Sequence, residues 1–256
     1  MQTIPDVQNL PDNRQIVINK VGIKDLRHPL QIKTRDGVQA TVATASMSVR
    51  LPEHVKGTHM SRFLQILNEQ TEPLSLANFP NLLQNTVERL ESQHAYIDLS
   101  FPFFIKKQAP ISKIDSLLDY EVTLSGSVED GIVCTRVHMV IPITSLCPCS
   151  KKISEYGAHN QRSHVTLDVE INADIELEDI IERVEAQASC ELYGLLKRSD
   201  EKYVTEKAYD NPKFVEDLVR DIAGELNKEP RILSYRLECE NFESIHNHSA
   251  YAIIES

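Results

Sequence analysis

Val165, Leu167, Val169, Ile171, Ala173 and Ile175 alternate without a break with Thr166, Asp168, Glu170, Asn172 and Asp174. Successive side chains of a strand point to opposite faces, so this stretch predicts a strand with one buried and one wetted face. Shorter alternations predict further strands. Val122, Leu124, Gly126 and Val128 share a face within 118–128, as do Leu233, Tyr235, Leu237 and Cys239. Strands are also predicted over 96–105, from the Asp130-Gly131 turn through Ile141, and over 250–254. Near the start, 28–35 is extended and Asp36-Gly37 is a hairpin turn into Val38, Ala40 and Val42. The apolar phase then moves to Ala43, Ala45, Met47 and Val49, which predicts a bulge in that strand.

Between these strands the period lengthens to that of helices. Phe63, Ile66, Leu67 and Gln70 share one helical face, and Leu82, Leu83, Val87 and Leu90 a second. Leu177, Ile180, Ile181, Val184 and Ala188 make a third. Asn211-Pro212 reads as a capping residue and a first-turn proline, opening a helix with Val215, Leu218, Val219, Ile222 and Leu226 on its apolar face. The order is strand-strand-helix-helix-strand-strand, written twice. It divides the chain into units 1–128 and 129–256 and makes the fold α+β, with helices on one face of antiparallel sheets.

Composition changes this picture in three ways. The chain has 256 residues, 41% hydrophobic and 25% charged, which is globular and excludes a disordered or low-complexity chain. Lys and Arg number 27 against 38 Asp and Glu, a net charge of −11, which argues against nucleic acid as a partner while leaving room for a small anion in a locally basic pocket. No stretch approaches the about 18 apolar residues of a membrane helix, and MQTIPDVQNLPDNRQ lacks a basic start followed by an apolar run. Five sparse cysteines argue against a disulfide framework and for the cytoplasm.

Chemistry gathers where the periodicity breaks. Between Ile141 and Val165 the chain reads PITSLCPCSKKISEYGAHNQRSH, holding Cys147, Cys149, Lys151, Lys152, His159 and His164. A disulfide across Pro148 is strained, so a thiolate ligand or nucleophile fits better, although two small apolar side chains at a turn would give the same pair. Cysteine with histidine suits zinc and related metals, and without Cys-x₂-Cys spacing a site with an open position is expected. FESIHNHSAYA places His246 and His248 two residues apart, on the same side if extended, or else as surface histidines. RSDEKYVTEKAYDNPKFVED carries Asp200, Glu201, Glu206, Asp210, Glu216 and Asp217, among which composition does not choose. Glu216 and Asp217 would complement a helix dipole, and Glu201 would be an exposed loop charge. Cys134, Cys190 and Cys239 sit in periodic segments as core or half-buried thiols. There is no Gly-rich phosphate loop, GxGxxG, HExxH or GxSxG.

TSLCPCSKKISEYGAHNQRSH, DEKYVTEKAYDNPKFVED and IHNHSAYA together resemble the prokaryotic type IB GTP cyclohydrolase I family, over essentially the whole chain. The resemblance implies tandem tunnelling-fold units that associate into barrels, with active sites at unit or subunit interfaces of a homo-oligomer, a tetramer. It implies one divalent metal per site, zinc, manganese or iron, with Cys147 and His159 as ligands and Glu201 as a third. Cys149 would lie beside the metal, and His246 and His248 would transfer protons or touch the triphosphate. Glu216 would anchor the purine, and Lys151, Lys152 and Arg162 are nearby cations for the triphosphate. The implied reaction hydrolyses GTP to 7,8-dihydroneopterin triphosphate and formate, the first step of tetrahydrofolate and pterin biosynthesis. Two alternatives stand beside it, the first of them in the same fold class. One is a thiol-based reductase of a deazapurine nitrile, working through Cys147 or Cys149 with a nicotinamide; the other is a non-catalytic purine or pterin binder.

Overall fold

Antiparallel strands and amphipathic helices follow one another as β1 (Ile18–Thr34), β2 (Gly37–Leu51), α1 (Met60–Asn68), α2 (Phe79–Arg89), β3 (His94–Gln108), β4 (Asp115–Glu129) and β5 (Ile132–Leu146). Then come α3 (Pro148–Ile153), β6 (Asn160–Ile171), α4 (Leu177–Glu185), β7 (Cys190–Glu191), α5 (Arg198–Asp210), α6 (Val215–Leu226), β8 (Ile232–Asn241) and β9 (Ala250–Glu255). The computed structural model describes residue 8 and residues 10–256. The other N-terminal residues, on which the expectation about a leader segment partly rests, lie outside the described residues.

These elements form two compact units. One holds the chain up to Phe101 with Thr123–Arg136, the other Pro102–Val122 with Val137–Ser256. The units are therefore not the sequence halves 1–128 and 129–256. The element order does start again at the Asp130-Gly131 turn, where φ of +49° and +84° suit a tight hairpin. But β3, β4 and β5 are each 15 residues long, about 50 Å of strand. A strand of that length outruns one hydrophobic core, and each unit takes one portion of it.

In the first unit the strand order is β1-β2-β3-β4-β5. Phe63, Ile66 and Leu67 of α1 and Phe79, Leu82 and Leu83 of α2 are buried. A Cβ on Gly126 of β4 would stand 2.5 Å from Leu83 Cδ1 and 2.7 Å from Phe79 Cε1, so α2 lies on β4 where only glycine leaves room. The expected bulge in β2 is absent. That strand keeps one phase, Gln39, Thr41, Ala43, Ala45, Met47 and Val49 turning inward while Val38 and Val42 stay exposed. The irregularities are in β1 instead, between Ile18 and Val21 and between Ile23 and Leu26. Ile23 pairs with Met47 and Leu26 with Ala45, so β1 carries one extra residue there, at Asp25 with φ +58°.

In the second unit the order is β3-β4-β5-β6-β8-β9, with β7 pairing β5 at Ile143↔Glu191 and Thr144↔Cys190. Its core is Val137, Met139, Ile141 and Ile143 of β5, Val165, Leu167 and Val169 of β6, and the buried faces of α4 and α6. β6 begins five residues before Val165 and stops at Ile171, so Ala173 and Ile175 are not strand, although Ile175 is buried. Asn211-Pro212 does not open a helix. Asn211 ends α5 and spends its side-chain N–H on Ala188 O at 2.8 Å, while Lys213 N–H donates to Leu146 O at 3.0 Å and holds this stretch extended. α6 starts only at Val215, where the Asp217 carboxylate accepts Phe214 N–H at 3.1 Å.

Candidate active site

The end of β5 is clamped from two sides. Leu146 N–H donates to the buried Ser189 hydroxyl at 3.1 Å, and its carbonyl accepts Lys213 N–H. From this fixed point Cys147 leaves the sheet and caps α3, its Sγ accepting Ser150 N–H at 3.4 Å. Pro148 takes the first helical position, where a missing N–H costs nothing. The loop then returns to β6, and Cys147 N–H donates to His159 O at 3.1 Å. Ser150 ties the two together again, its hydroxyl donating to Cys147 O and accepting His159 N–H, both at 3.2 Å. Thiol and imidazole thus sit on directly bonded backbone, twelve residues apart in sequence.

The His159 ring is held from behind. Its Nδ1 lies 2.9 Å from Gln161 Oε1 and 3.8 Å from Glu243 Oε2, with 13% of the histidine side chain exposed. Gln161 Nε2 donates to Ser145 Oγ at 2.9 Å, Ser145 and Ser163 hydroxyls are 2.8 Å apart, and Ser163 Oγ donates to Asn241 Oδ1 at 2.6 Å. All four of these side chains are buried. Sequence reasoning passed over them, yet a signal exists. Ser145, Gln161 and Ser163, and Asn241 continue the inward phase of β5, β6 and β8, each placing a polar group where a core residue is due.

The acidic stretch sorts itself. Asp200 is buried and accepts N–H groups of Ile111, Ser112 and Lys197 at 2.8–2.9 Å, which together with the Ser112 hydroxyl hold its carboxyl far below the usual carboxylate range despite burial. Glu206 pairs with Lys202 and Asp217 caps α6. Glu201 lies exposed on the first turn of α5, a helix rather than a loop, and Glu216 is exposed on the first turn of α6. α5 has little apolar periodicity to announce it; caps and ion pairs such as Lys207–Glu191, 2.5 Å, hold it.

Of the other expected site residues, Cys149 is exposed. Lys151 donates to Tyr209 O and lies 4.3 Å from the centre of the Tyr209 ring, so it is engaged within the unit. Lys152 and Arg162 are exposed. His246 and His248 stack with ring centres 5.0 Å apart in the exposed turn between β8 and β9. They share a side as expected, though not because the segment is extended. Burial pushes the Cys190 thiol up to about 11 and the Cys239 thiol up to about 12, in keeping with core thiols.

As a metal site, the donors fit in part. Thiol and imidazole are donor types suited to zinc or iron, with manganese calling for a carboxylate besides, and the contact at Nδ1 would leave Nε2 to face a metal. Yet among the described residues no three His, Cys, Asp or Glu side chains are gathered around one point, so Glu201 does not join Cys147 and His159 within one chain. No helix among them is long and apolar enough to cross a membrane.

Residues 4–252 match a family model described as type I GTP cyclohydrolase folE2. The GTP cyclohydrolase FolE2 of Herminiimonas arsenicoxydans is 58% identical over 255 residues, covering 100% of this chain and 98% of that protein. That of Methylobacillus flagellatus is 60% identical over 253 residues, covering 98% and 95%. Among solved structures, uricase from Arthrobacter globiformis matches with a TM-score of 0.51 at 8% identity, covering 93% of this chain and 92% of that one. Urate oxidase from Bacillus sp. TB-90 gives 0.51 at 8% identity, covering 93% and 99%. Likeness at such low identity shows the fold alone, the tunnelling fold, with its antiparallel sheet and helices.

Proposed function

Because the chain belongs to the type I GTP cyclohydrolase folE2 family, we propose that its GTP-opening chemistry is run from the Cys147–His159 pair and completed only when copies assemble. The enzyme is a GTP cyclohydrolase I, converting GTP and water to 7,8-dihydroneopterin triphosphate and formate in the folate pathway. The observation that carries our reading of the site is the direct backbone bond between Cys147 and His159, with the imidazole braced from behind.

One divalent metal, zinc, manganese or iron, held by Cys147 and His159 would supply Lewis acidity that activates water. Glu201 would be its third protein ligand. Since one chain does not gather the three and Glu201 is exposed, we take it to arrive from a second copy. Glu216 anchors guanine, its two oxygens accepting from the N1–H and the 2-amino group, a donor pair that adenine lacks. Asp217 does the capping of α6, which leaves the Glu216 carboxylate for this task. Cys149 stands beside the metal ligands, one residue into α3. His246 and His248 move protons during ring opening and formate release, a role suited to imidazole, which as a class titrates near neutrality. The exposed Lys152 and Arg162 balance the triphosphate locally in a chain that is acidic overall, with Lys151 joining them only by leaving Tyr209.

Assembly is a homotetramer in this reading. β9 ends the strand order of the second unit with Tyr251 and Ile253 exposed, the kind of sheet edge that a second copy covers. Five free thiols suit a reducing cytoplasm.

Incubation with GTP, followed by oxidation and pterin fluorescence with a parallel formate assay, tests the chemistry. GTP binding without formate would overturn it. Co-expressing Cys147→Ala with Glu201→Ala tests the sharing: mixed tetramers regain activity that neither variant has alone. Mixed tetramers as inactive as the single variants would show that both ligands come from one chain.

A further inference from the structure

We propose that Gln161 is a positioning residue that sets the tautomer of His159, through a one-way chain of buried hydrogen bonds ending at Asn241. The inference rests on His159 being a metal ligand, and adds what makes it one.

With the Asn241 amide placed so that its oxygen faces Ser163, donor and acceptor roles along the chain follow from its far end. Asn241 Oδ1 has no hydrogen to give, so Ser163 must donate its single hydroxyl hydrogen across their 2.6 Å contact. Ser163 and Asn241 face each other directly in the β6–β8 ladder, so this contact is fixed by strand register. Ser163 then has only lone pairs for Ser145, and Ser145 must donate across the 2.8 Å between them. With its hydrogen spent, Ser145 can only accept, so the donor at 2.9 Å is the Gln161 amide nitrogen. That turns the Gln161 carbonyl toward His159, 2.9 Å from Nδ1. A carbonyl can only accept, so Nδ1 carries the ring hydrogen and Nε2 keeps its lone pair. The free imidazole has no such preference imposed on it. The buried chain therefore presents the nitrogen that a metal needs before any metal is bound. Each member is buried, so a reversed orientation at one position would strand a partner without water to satisfy it.

The prediction is read first on metal-free protein. In ¹⁵N-histidine NMR at pH 8, the His159 signals, assigned by their loss in His159→Gln, show the hydrogen on Nδ1. A hydrogen on Nε2 would overturn the proposal without any further variant. The second reading is zinc affinity by competition with a chromophoric chelator. Gln161→Leu, which removes the hydrogen-bonded acceptor and leaves only Glu243 at 3.8 Å, weakens zinc by about 10- to 100-fold, the usual effect of losing such a partner. Gln161→Glu keeps an acceptor at Nδ1 while losing the donor to Ser145, and binds zinc more tightly than Gln161→Leu. Asn241→Asp likewise keeps the end of the chain acceptor-only and retains affinity. Unchanged zinc affinity in folded Gln161→Leu refutes the positioning role. If Gln161→Leu does not fold, the NMR result decides. Unchanged zinc affinity in His159→Gln instead refutes the ligand assignment on which the inference stands, so the two failures are distinct.

Discussion

Lys107→Met is the perturbation whose cost can be worked out most fully. Lys107 Nζ lies 2.5 Å from Glu185 Oε1, and the two side chains are only 10% and 7% exposed. The lysine also donates to Leu192 O at 3.1 Å, and Tyr120 OH donates to the same carboxylate oxygen at 2.6 Å. Removing the lysine leaves a buried carboxylate without its counter-charge, which costs about 3–5 kcal/mol. At about 2–4 °C per kcal/mol for a chain of this size, the melting temperature falls by roughly 6–20 °C. Burial holds the Glu185 carboxyl above its ordinary value of 4.5 while Lys107 pulls it down, so the variant raises it further. A raised folded-state pKa means the native protein holds the proton after the unfolded chain has released it. Stability then falls as pH rises from 4.5 through the folded value, and the deficit of Lys107→Met is largest at neutral pH and shrinks toward pH 5. Adding Glu185→Gln removes the charge, keeps an acceptor for Tyr120 and restores most of the loss. The assay is a thermal melt by circular dichroism at fixed protein concentration, at pH 5 and pH 7.5. A single variant melting within about 2 °C of wild type at pH 7.5 would refute the reasoning, as would a double variant no better than the single one. The site feels this change too. Glu185 ends α4, and four residues on Ser189 receives Leu146 N–H, so loosening here reaches the clamp that holds Cys147.

Glu216→Gln turns one carboxylate acceptor into a donor facing the guanine donors, and kcat/KM falls roughly 5- to 150-fold, the equivalent of 1–3 kcal/mol. Its melting temperature and metal content stay at wild type because Asp217 caps the helix; normal turnover would remove Glu216 as the anchor. Maleimide labelling of native protein at pH 7.5, read by peptide mass spectrometry, modifies exposed Cys149 and spares Cys190 and Cys239, whose thiols burial holds at about 11 and about 12. Labelling of Cys190 or Cys239 ahead of Cys149 would contradict the packing described.

Local patterning was enough for much of the architecture. The alternation at Val165–Ile171 and the helical stripes at Phe63–Leu67 and Leu177–Val184 each report which face meets a core, because strand and helix periods are set by the backbone alone. The motif around Cys147 and His159 was equally legible, since the break in periodicity marks a loop and soft donors stand out in it. The same local rules placed a bulge after Val42 that β2 does not have, because apolar residues such as Val38 and Val42 also occupy outer faces. They gave a helix start to Asn211-Pro212, where the Asn211 side-chain N–H is taken by Ala188 O and the N–H of the following Lys213 by Leu146 O, both from elsewhere in the chain. They missed α5, which tertiary caps and ion pairs sustain. What only tertiary structure decided is which polar groups meet. Ser163 and Asn241 are 78 residues apart, and no period along the chain relates them; strand register does, and it brings the far ends of β5 and β8 and the first inward positions of β6 together behind His159. A hydrogen bond depends on atoms falling within about 3 Å of each other, a condition that periodicity cannot express and that packing of the whole unit imposes.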